Sequence, residues 1–175
     1  MSGVVLGTPR LCLVPFARHR LDVLVAQWTE PDVRRWLWDD TAPSRAQVRE
    51  LIDASVASFA ARRFGLWTIE RAAEPGVVGF DGLRATPDGA GVELHYGLGR
   101  AWWGRGFATE ASLAVLRDAF DAVGLARVLV RMDGPNDASV AVARRLGARW
   151  VRTDPTGPFG TTIVHVVEPG MLRRV

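Results

Sequence analysis

Apolar residues recur along this chain with two periods, and the changes of period divide it into elements. The run at residues 10–14, with Leu11, Leu13 and Val14, reads as a short strand. Pro15 to Ala17 turn it toward a helical run over 19–28, with Leu21, Leu24 and Val25 on one face. Pro31 opens a second short helix over 32–38, because proline is accommodated at a first helical position. Ser44 is a cap for a third helix over 45–63, where Val48, Leu51, Ile52, Ser55 and Phe59 return at helical spacing.

The period then shortens. Residues 64–70, 77–84 and 92–99 form three strand-like runs separated by Glu74-Pro75-Gly76 and Pro87-Asp88-Gly89, which predicts an antiparallel meander. A long helix follows over 107–123, with Leu113, Leu116, Phe120 and Val123 on one stripe and Gly124 placed to end it. Beyond it come a strand at 127–132 and a helix capped by Asn136 and ended by Gly147 after Leu146, a strand–helix–strand unit of the parallel type. Two strands, at 148–153 and 161–168, close the chain around a loop rich in Pro and Gly.

Composition narrows the classes. At 175 residues the chain suits one domain, residues 1–175, able to bury a core without disulfides or structural metal. Its 48% hydrophobic and 23% charged residues are those of a folded soluble protein. The apolar start at 3–6 is broken by Gly7, Thr8, Pro9 and Arg10, too short for a secretory core, and no later run has the length of a membrane span. Cys12 is the single cysteine, which rules out an internal disulfide and a cysteine-rich zinc site, and its place between Leu11 and Leu13 reads as a buried small side chain. A cytoplasmic location is expected, with no membrane partner. All 22 basic residues are arginine, which accounts for a pI near 10.3 beside a net charge of only +3. With both signs interspersed the long-range field is small, so no nucleic-acid partner is expected.

The densest chemical signal lies where the strand ending in Tyr96, Gly97 and Leu98 passes through Trp103, Gly104, Arg105 and Gly106 into the helix beginning Phe107, Ala108, Thr109 and Glu110. Glycines allow a ligand to approach the backbone, and free amides at a helix start favour an anion, so the segment reads as a phosphate site. A plain strand-to-helix turn would use the same glycines. A dinucleotide fingerprint would place Gly or Ala where Thr109 stands, and the lysine of a phosphate-binding loop is absent.

The run from Trp103 through Gly104, Arg105, Gly106, Phe107, Ala108, Thr109, Glu110 and Ala111 resembles the acetyl-CoA pyrophosphate loop of GNAT acetyltransferases, particularly the RimJ/RimL-like branch. Asn136, Ser139 and the ending Arg145-Leu146-Gly147 resemble the following helix of that family, and Pro9-Arg10-Leu11 its opening strand. The resemblance implies an α/β (α+β) fold: a mixed, mainly antiparallel sheet of about six to seven strands flanked by helices, splayed between the strands at 92–99 and 127–132. It implies acetyl-CoA as co-substrate in that opening, with the backbone of Tyr96, Gly97 and Leu98 on the pantetheine and the amides of 104–108 on the pyrophosphate. Arg105 and Thr109 would add contacts to the phosphates, and Asn136 would touch the cofactor arm or simply cap its helix. Two positions depart from the pattern: Ala101 replaces the usual Gln or Arg, and Ala143 stands where many relatives carry a tyrosine acid.

Acetyl transfer to an amine needs a base, an oxyanion donor and an exit for the thiolate. Glu93, on the strand leading into the loop, is the candidate base, with a solvated carboxylate as the bland alternative; His95 shares its face. A backbone amide near Leu98 suits the oxyanion, and by resemblance Ser139 would protonate the thiolate. Trp36, Trp38, Asp39 and Asp40 offer aromatic and acidic surface to a cationic amine, although tryptophans at helical spacing also serve as core. The expected reaction is acetylation of a primary amine, of a small molecule or a protein N-terminus, by direct attack in a ternary complex. Open beside it stand a non-catalytic acyl-CoA-binding or regulatory module and an interaction protein; a homodimer follows from the resemblance alone.

Overall fold

The computed structural model describes residues 4–172 apart from Pro75, Asp88 and Ala90. Strands β1 (Leu6–Gly7) and β2 (Leu11–Pro15) lead into helices α1 (Leu21–Trp28), α2 (Pro31–Leu37) and α3 (Arg45–Arg62). The expected meander follows as β3 (Leu66–Arg71), β4 (Val77–Ala85) and β5 (Val92–Leu98), although Pro75 and Asp88 of its turn signals lie outside the described residues. Helix α4 (Phe107–Asp118) runs on through a π turn over 119–123, and β6 (Val128–Asp133), α5 (Asp137–Leu146), β7 (Arg149–Gly157) and β8 (Gly160–Val167) complete the chain. Among the described residues no helix is long and apolar enough to cross a membrane.

Among the described residues all strands join one sheet of eight, in the order β1-β2-β3-β4-β5-β6-β8-β7, rather than the six to seven expected. The extra strand is β1, whose two residues pair with Leu13 and Cys12 and are too few to show any period. Every pairing is antiparallel except β5 with β6, the two strands that α4 connects. The Pro/Gly-rich loop expected near the C-terminus is mostly strand, because β7 and β8 extend toward each other until Gly157 pairs Gly160.

Local chemistry explains why the helices begin and end where they do. Ser44 caps α3 by accepting from the Gln47 amide at 3.2 Å, and the Gln47 side chain accepts from the Ser44 amide at 2.8 Å, a reciprocal capping box. Asn136 caps α5 through the Ser139 amide at 3.1 Å. Gly124 (φ 83°) and Gly147 (φ 84°) close their helices in the left-handed conformation.

The sheet is covered on both faces. Leu94 and Leu98 pack with Leu113 and Leu116 of α4 and Leu146 of α5 in one core. On the other face Leu24, Trp28, Val48 and Ile52 pack against Phe80, with the Trp28 and Phe80 rings edge to face at 5.1 Å. Cys12 does not join a core: alternation buries Leu11 and Leu13 and leaves it half-exposed on the opposite face, correcting the expectation of a buried side chain.

Asp81 is the exception inside the sheet. It is fully buried beside α4, where Ser112 donates to its Oδ2 at 2.6 Å and its Oδ1 has no hydrogen-bond partner among the described residues. Burial lifts its carboxyl well above the ordinary value, against the lowering effect of the Ser112 and Gly82 bonds. The folded chain therefore holds a proton that the unfolded chain releases near pH 4, so this group's contribution to stability falls as pH rises above that value. Asp81→Asn is expected to remove that fall. Its melting temperature should decline less than that of the wild type between pH 4 and 8, each kcal/mol retained being worth roughly 2–4 °C in a domain of this size.

A candidate acyl-CoA cleft where two strands part

Strands β5 and β6 pair at only two positions, Glu93 with Leu129 and Leu94 with Val130. Beyond them β5 continues to Leu98 and β6 to Asp133 without pairing, so each presents an edge of backbone amides and carbonyls toward the other. The gap opens into a cleft of about 470 Å³. Its walls are Tyr96, Gly97 and Leu98 on one side and Asn136, Ser139 and Val142 of α5 on the other, with Val33, Trp36 and Leu37 of α2 above.

The start of α4 forms one end of this cleft. Gly104 (φ 75°) and Gly106 (φ 78°) are both left-handed, a conformation costly for any residue with a side chain, and Gly106 is the helix cap. No side chain caps the helix, and the amides of Phe107, Ala108 and Thr109 have no earlier helical carbonyl to reach. The Thr109 hydroxyl is buried with no partner among the described residues, and Arg145 of α5 borders the same cleft. Unsatisfied donors, a helix dipole and a guanidinium together fit a bound diphosphate. Arg145 is exposed on α5, and its reach to the cleft comes from the packing of that helix against α4.

A clamp holds this loop. Glu110, in the first turn of α4, accepts from Thr8 Oγ1 at 2.6 Å, from the Arg10 amide at 3.1 Å and from Arg10 Nε at 2.6 Å. Arg10 also donates to the Arg105 carbonyl at 3.1 Å. Burial works to raise the Glu110 carboxyl, but the bonds from Thr8 and Arg10 outweigh it and hold the group below its ordinary value. At the far side the Trp103 indole donates to the Leu98 carbonyl at 2.8 Å, tying the loop to the end of β5.

Alternation along β5 separates two chemistries. Leu94, Tyr96 and Leu98 face α4 and α5, while Glu93 and His95 face the α2 and α3 side. Glu93 stands where β5 and β6 part, with a side chain only 13% exposed. Its Oε2 lies 3.6 Å from Arg131 Nε and its Oε1 3.8 Å from His95 Nε2. Burial raises the Glu93 carboxyl above its ordinary value, and Arg131 and Arg84 pull it part of the way back. His95 is pushed down to about 4 by burial and then by the same two arginines, so at neutral pH it is an uncharged neighbour and not an ion-pair partner. Arg131 carries no local signal in the sequence; the parallel pairing of β5 with β6 alone places it beside Glu93.

Of the residues expected at the site, Tyr96, Gly97, Leu98, Gly104, Gly106, Phe107, Ala108, Thr109, Asn136 and Ser139 all border this one cleft. Arg105 and Glu93 do not line it. Arg105 is exposed, with its guanidinium 5.0 Å above the Trp102 ring, and Glu93 lies at the point of the split on the opposite sheet face. The two tryptophans of the second helix divide: Trp38 packs on Trp28 at 5.9 Å in the core, while Trp36 borders the cleft and meets Phe159 of the β7–β8 turn at 5.2 Å. Nearby Asp39 (φ 50°) and Asp40 (φ 61°) occupy the left-handed region, and the Asp133 carboxyl is raised by burial and by Asp39.

A sheet parted between two parallel strands, with a glycine loop and a helix start at the mouth of the gap, defines an acyl-CoA-dependent transferase class. The chain belongs to the acetyltransferase (GNAT) domain family, whose model matches residues 10–149, and it is accordingly an acetyl-CoA-dependent N-acetyltransferase. An uncharacterized N-acetyltransferase of Bacillus licheniformis, p20, is 28% identical over 145 residues, covering 81% of this chain and 80% of that protein. An acetyltransferase crystal structure from Agrobacterium tumefaciens superposes with a TM-score of 0.81 at 23% identity over 96% of each chain. RimL, a ribosomal L7/L12 α-N-protein acetyltransferase in complex with coenzyme A, superposes with a TM-score of 0.78 at 16% identity, over 94% of this chain and 98% of that one. These likenesses agree with the mixed, mainly antiparallel fold expected from the sequence.

Proposed function

We propose that this chain, as one domain over residues 1–175 acting in the cytoplasm, transfers the acetyl group to a primary amine of a small molecule or a protein N-terminus by direct attack with both substrates bound. The observation that carries this reading is the position of Glu93 at the apex of the split, a carboxylate made more basic by burial, on the face away from the cleft's phosphate end. A base there takes the proton from the attacking amine as the new bond forms. The amides of 104–108, with Thr109 and Arg145, would hold the diphosphate; the edge of Tyr96, Gly97 and Leu98 would hold the pantetheine, with Asn136 beside it. A backbone amide near Leu98 would stabilise the carbonyl oxygen, and the Ser139 hydroxyl lies in the same cleft as a donor to sulfur.

The acceptor side is aromatic and acidic. Trp36 and Phe159 bridge α2 to the last hairpin, and Asp39 lies near Asp133, a surround suited to a cationic amine. Much of the rate would come from holding amine and thioester together, since a thioester is already activated. The test is release of free thiol from acetyl-CoA in the presence of a panel of alkyl amines, diamines and short peptides, with product mass measured in parallel. Acetylated product in step with thiol supports transfer. Saturable acetyl-CoA binding with no product from any amine supports the non-catalytic module instead.

A further inference from the structure

The departing sulfur needs stabilisation, and the cleft supplies a hydroxyl that faces away from the base. We propose that the Tyr96 phenol is a catalytic residue of this acetyltransferase, donating a hydrogen bond to the thioester sulfur as the carbon–sulfur bond breaks. The inference rests on the acetyltransferase reading of the cleft.

Three observations support it. Tyr96 reaches from β5 across the cleft to α5, where its hydroxyl donates to the Ser139 carbonyl at 3.2 Å. It stands three residues from Glu93 on the opposite face of the same strand, so a thioester lying along β5 would have the base on one side and the phenol on the other. An amine approaching on the Glu93 side would expel sulfur toward Tyr96. Ala143 of α5 is fully buried, and no hydroxyl comes from that part of the helix. Rotation about the Cζ–Oη bond re-aims the phenol proton from the Ser139 carbonyl to a sulfur beside it without moving the ring.

The phenol acts as a donor and keeps its proton. Burial raises the Tyr96 hydroxyl above its ordinary value, partly opposed by the Ser139 bond and reinforced by Asp81 across the strand pair. A thiolate, with a conjugate acid near 8.5 against about 10 for a free phenol, is too weak a base to remove that proton. The steps then balance: nitrogen bonds to the acetyl carbon, its proton passes to Glu93, the carbon–sulfur electron pair stays on sulfur, and the thiolate is protonated by water. A phenol is also a stronger donor than the alkyl hydroxyl of Ser139, which leaves Ser139 the lesser contributor.

The test reads the sulfur directly. In the wild-type complex with CoA, the thiol titration followed by ultraviolet absorbance should lie about one to two pH units below that of free CoA, the worth of one hydrogen bond to an ionised group. Tyr96→Phe should return it toward the free value while CoA still binds. Because Tyr96 is the only tyrosine, expression with 3-fluorotyrosine labels this site alone, with almost no change of shape. Its ¹⁹F resonance should move more with CoA than with desulfo-CoA. Equal thiol titration in wild type and Tyr96→Phe, or equal shifts with the two ligands, overturns the role of Tyr96 and leaves acetyl-CoA binding standing. Absence of CoA binding to the wild type overturns the cleft assignment and this role with it.

Discussion

Glu93→Gln is expected to lower kcat/KM for amine acetylation by ~10²–10⁴-fold, the usual worth of a positioned base. Glutamine keeps the size and one carbonyl oxygen of the side chain, so the packing at the split is retained while the basic oxygen is lost. Arg131, 3.6 Å away, then faces a neutral group, which leaves the local charge more positive but does not touch the loop that would hold the diphosphate. Acetyl-CoA affinity should therefore stay within about threefold of wild type, separating a loss of chemistry from a loss of binding. The pH profile carries the sign. Because burial raises the Glu93 carboxyl above its ordinary value, wild-type kcat/KM should fall as pH drops through a pKa above 4.5. With a weakly basic acceptor, whose own titration lies lower, that limb is visible in wild type and absent from the variant. Parallel profiles in the two proteins would assign the base elsewhere.

Gly104→Val should weaken acetyl-CoA binding by ~10²-fold or more, through the backbone and not through a clash. A Cβ at Gly104 meets nothing within 4 Å, so steric room is not the constraint. The constraint is φ 75°, where a β-branched side chain costs roughly 1–3 kcal/mol. The loop relieves that cost by leaving the left-handed region, and the amides of 104–108 then lose their common aim. Charge-assisted bonds to phosphate are worth about 1.5–3 kcal/mol each, so losing two gives the stated factor. Arg10 and Glu110 anchor the helix side of the loop independently, which should keep the variant folded. Calorimetric titration beside a circular dichroism spectrum checks both statements; a folded variant that binds as tightly as wild type would remove the loop from the site.

Those two positions illustrate what sequence made legible. The strand–loop–helix passage at 96–110 combines a period change, two glycines and a helix start within a few residues, and each of those signals is local. Eight of the ten expected site residues that border the cleft lie in that passage. The capping of α3 by Ser44 and of α5 by Asn136 was readable on the same ground, since a cap is a bond between near neighbours. The two-residue strand β1 was not, because it exists only through pairing with β2.

The environment of Glu93 depended on contacts far apart in sequence. Arg131 sits 38 positions later and comes alongside only because β5 and β6 pair in parallel at Glu93 and Leu129. The separate fates of Trp36 and Trp38 had the same origin: one meets Phe159 of the final hairpin and the other meets Trp28, and their spacing in α2 and beyond says nothing of either. Cys12 shows the smaller error of reading an apolar run as buried throughout, when alternation in a strand turns its middle residue to the other face.

Direct titration of the wild-type protein with acetyl-CoA, with CoA and NAD as comparison ligands, tests most simply whether the parted strands and the loop at 104–109 form the binding site. Saturable binding of acetyl-CoA and CoA at one site per chain, without binding of NAD, is the expected result; an intact, folded sample that takes up no acetyl-CoA would contradict it.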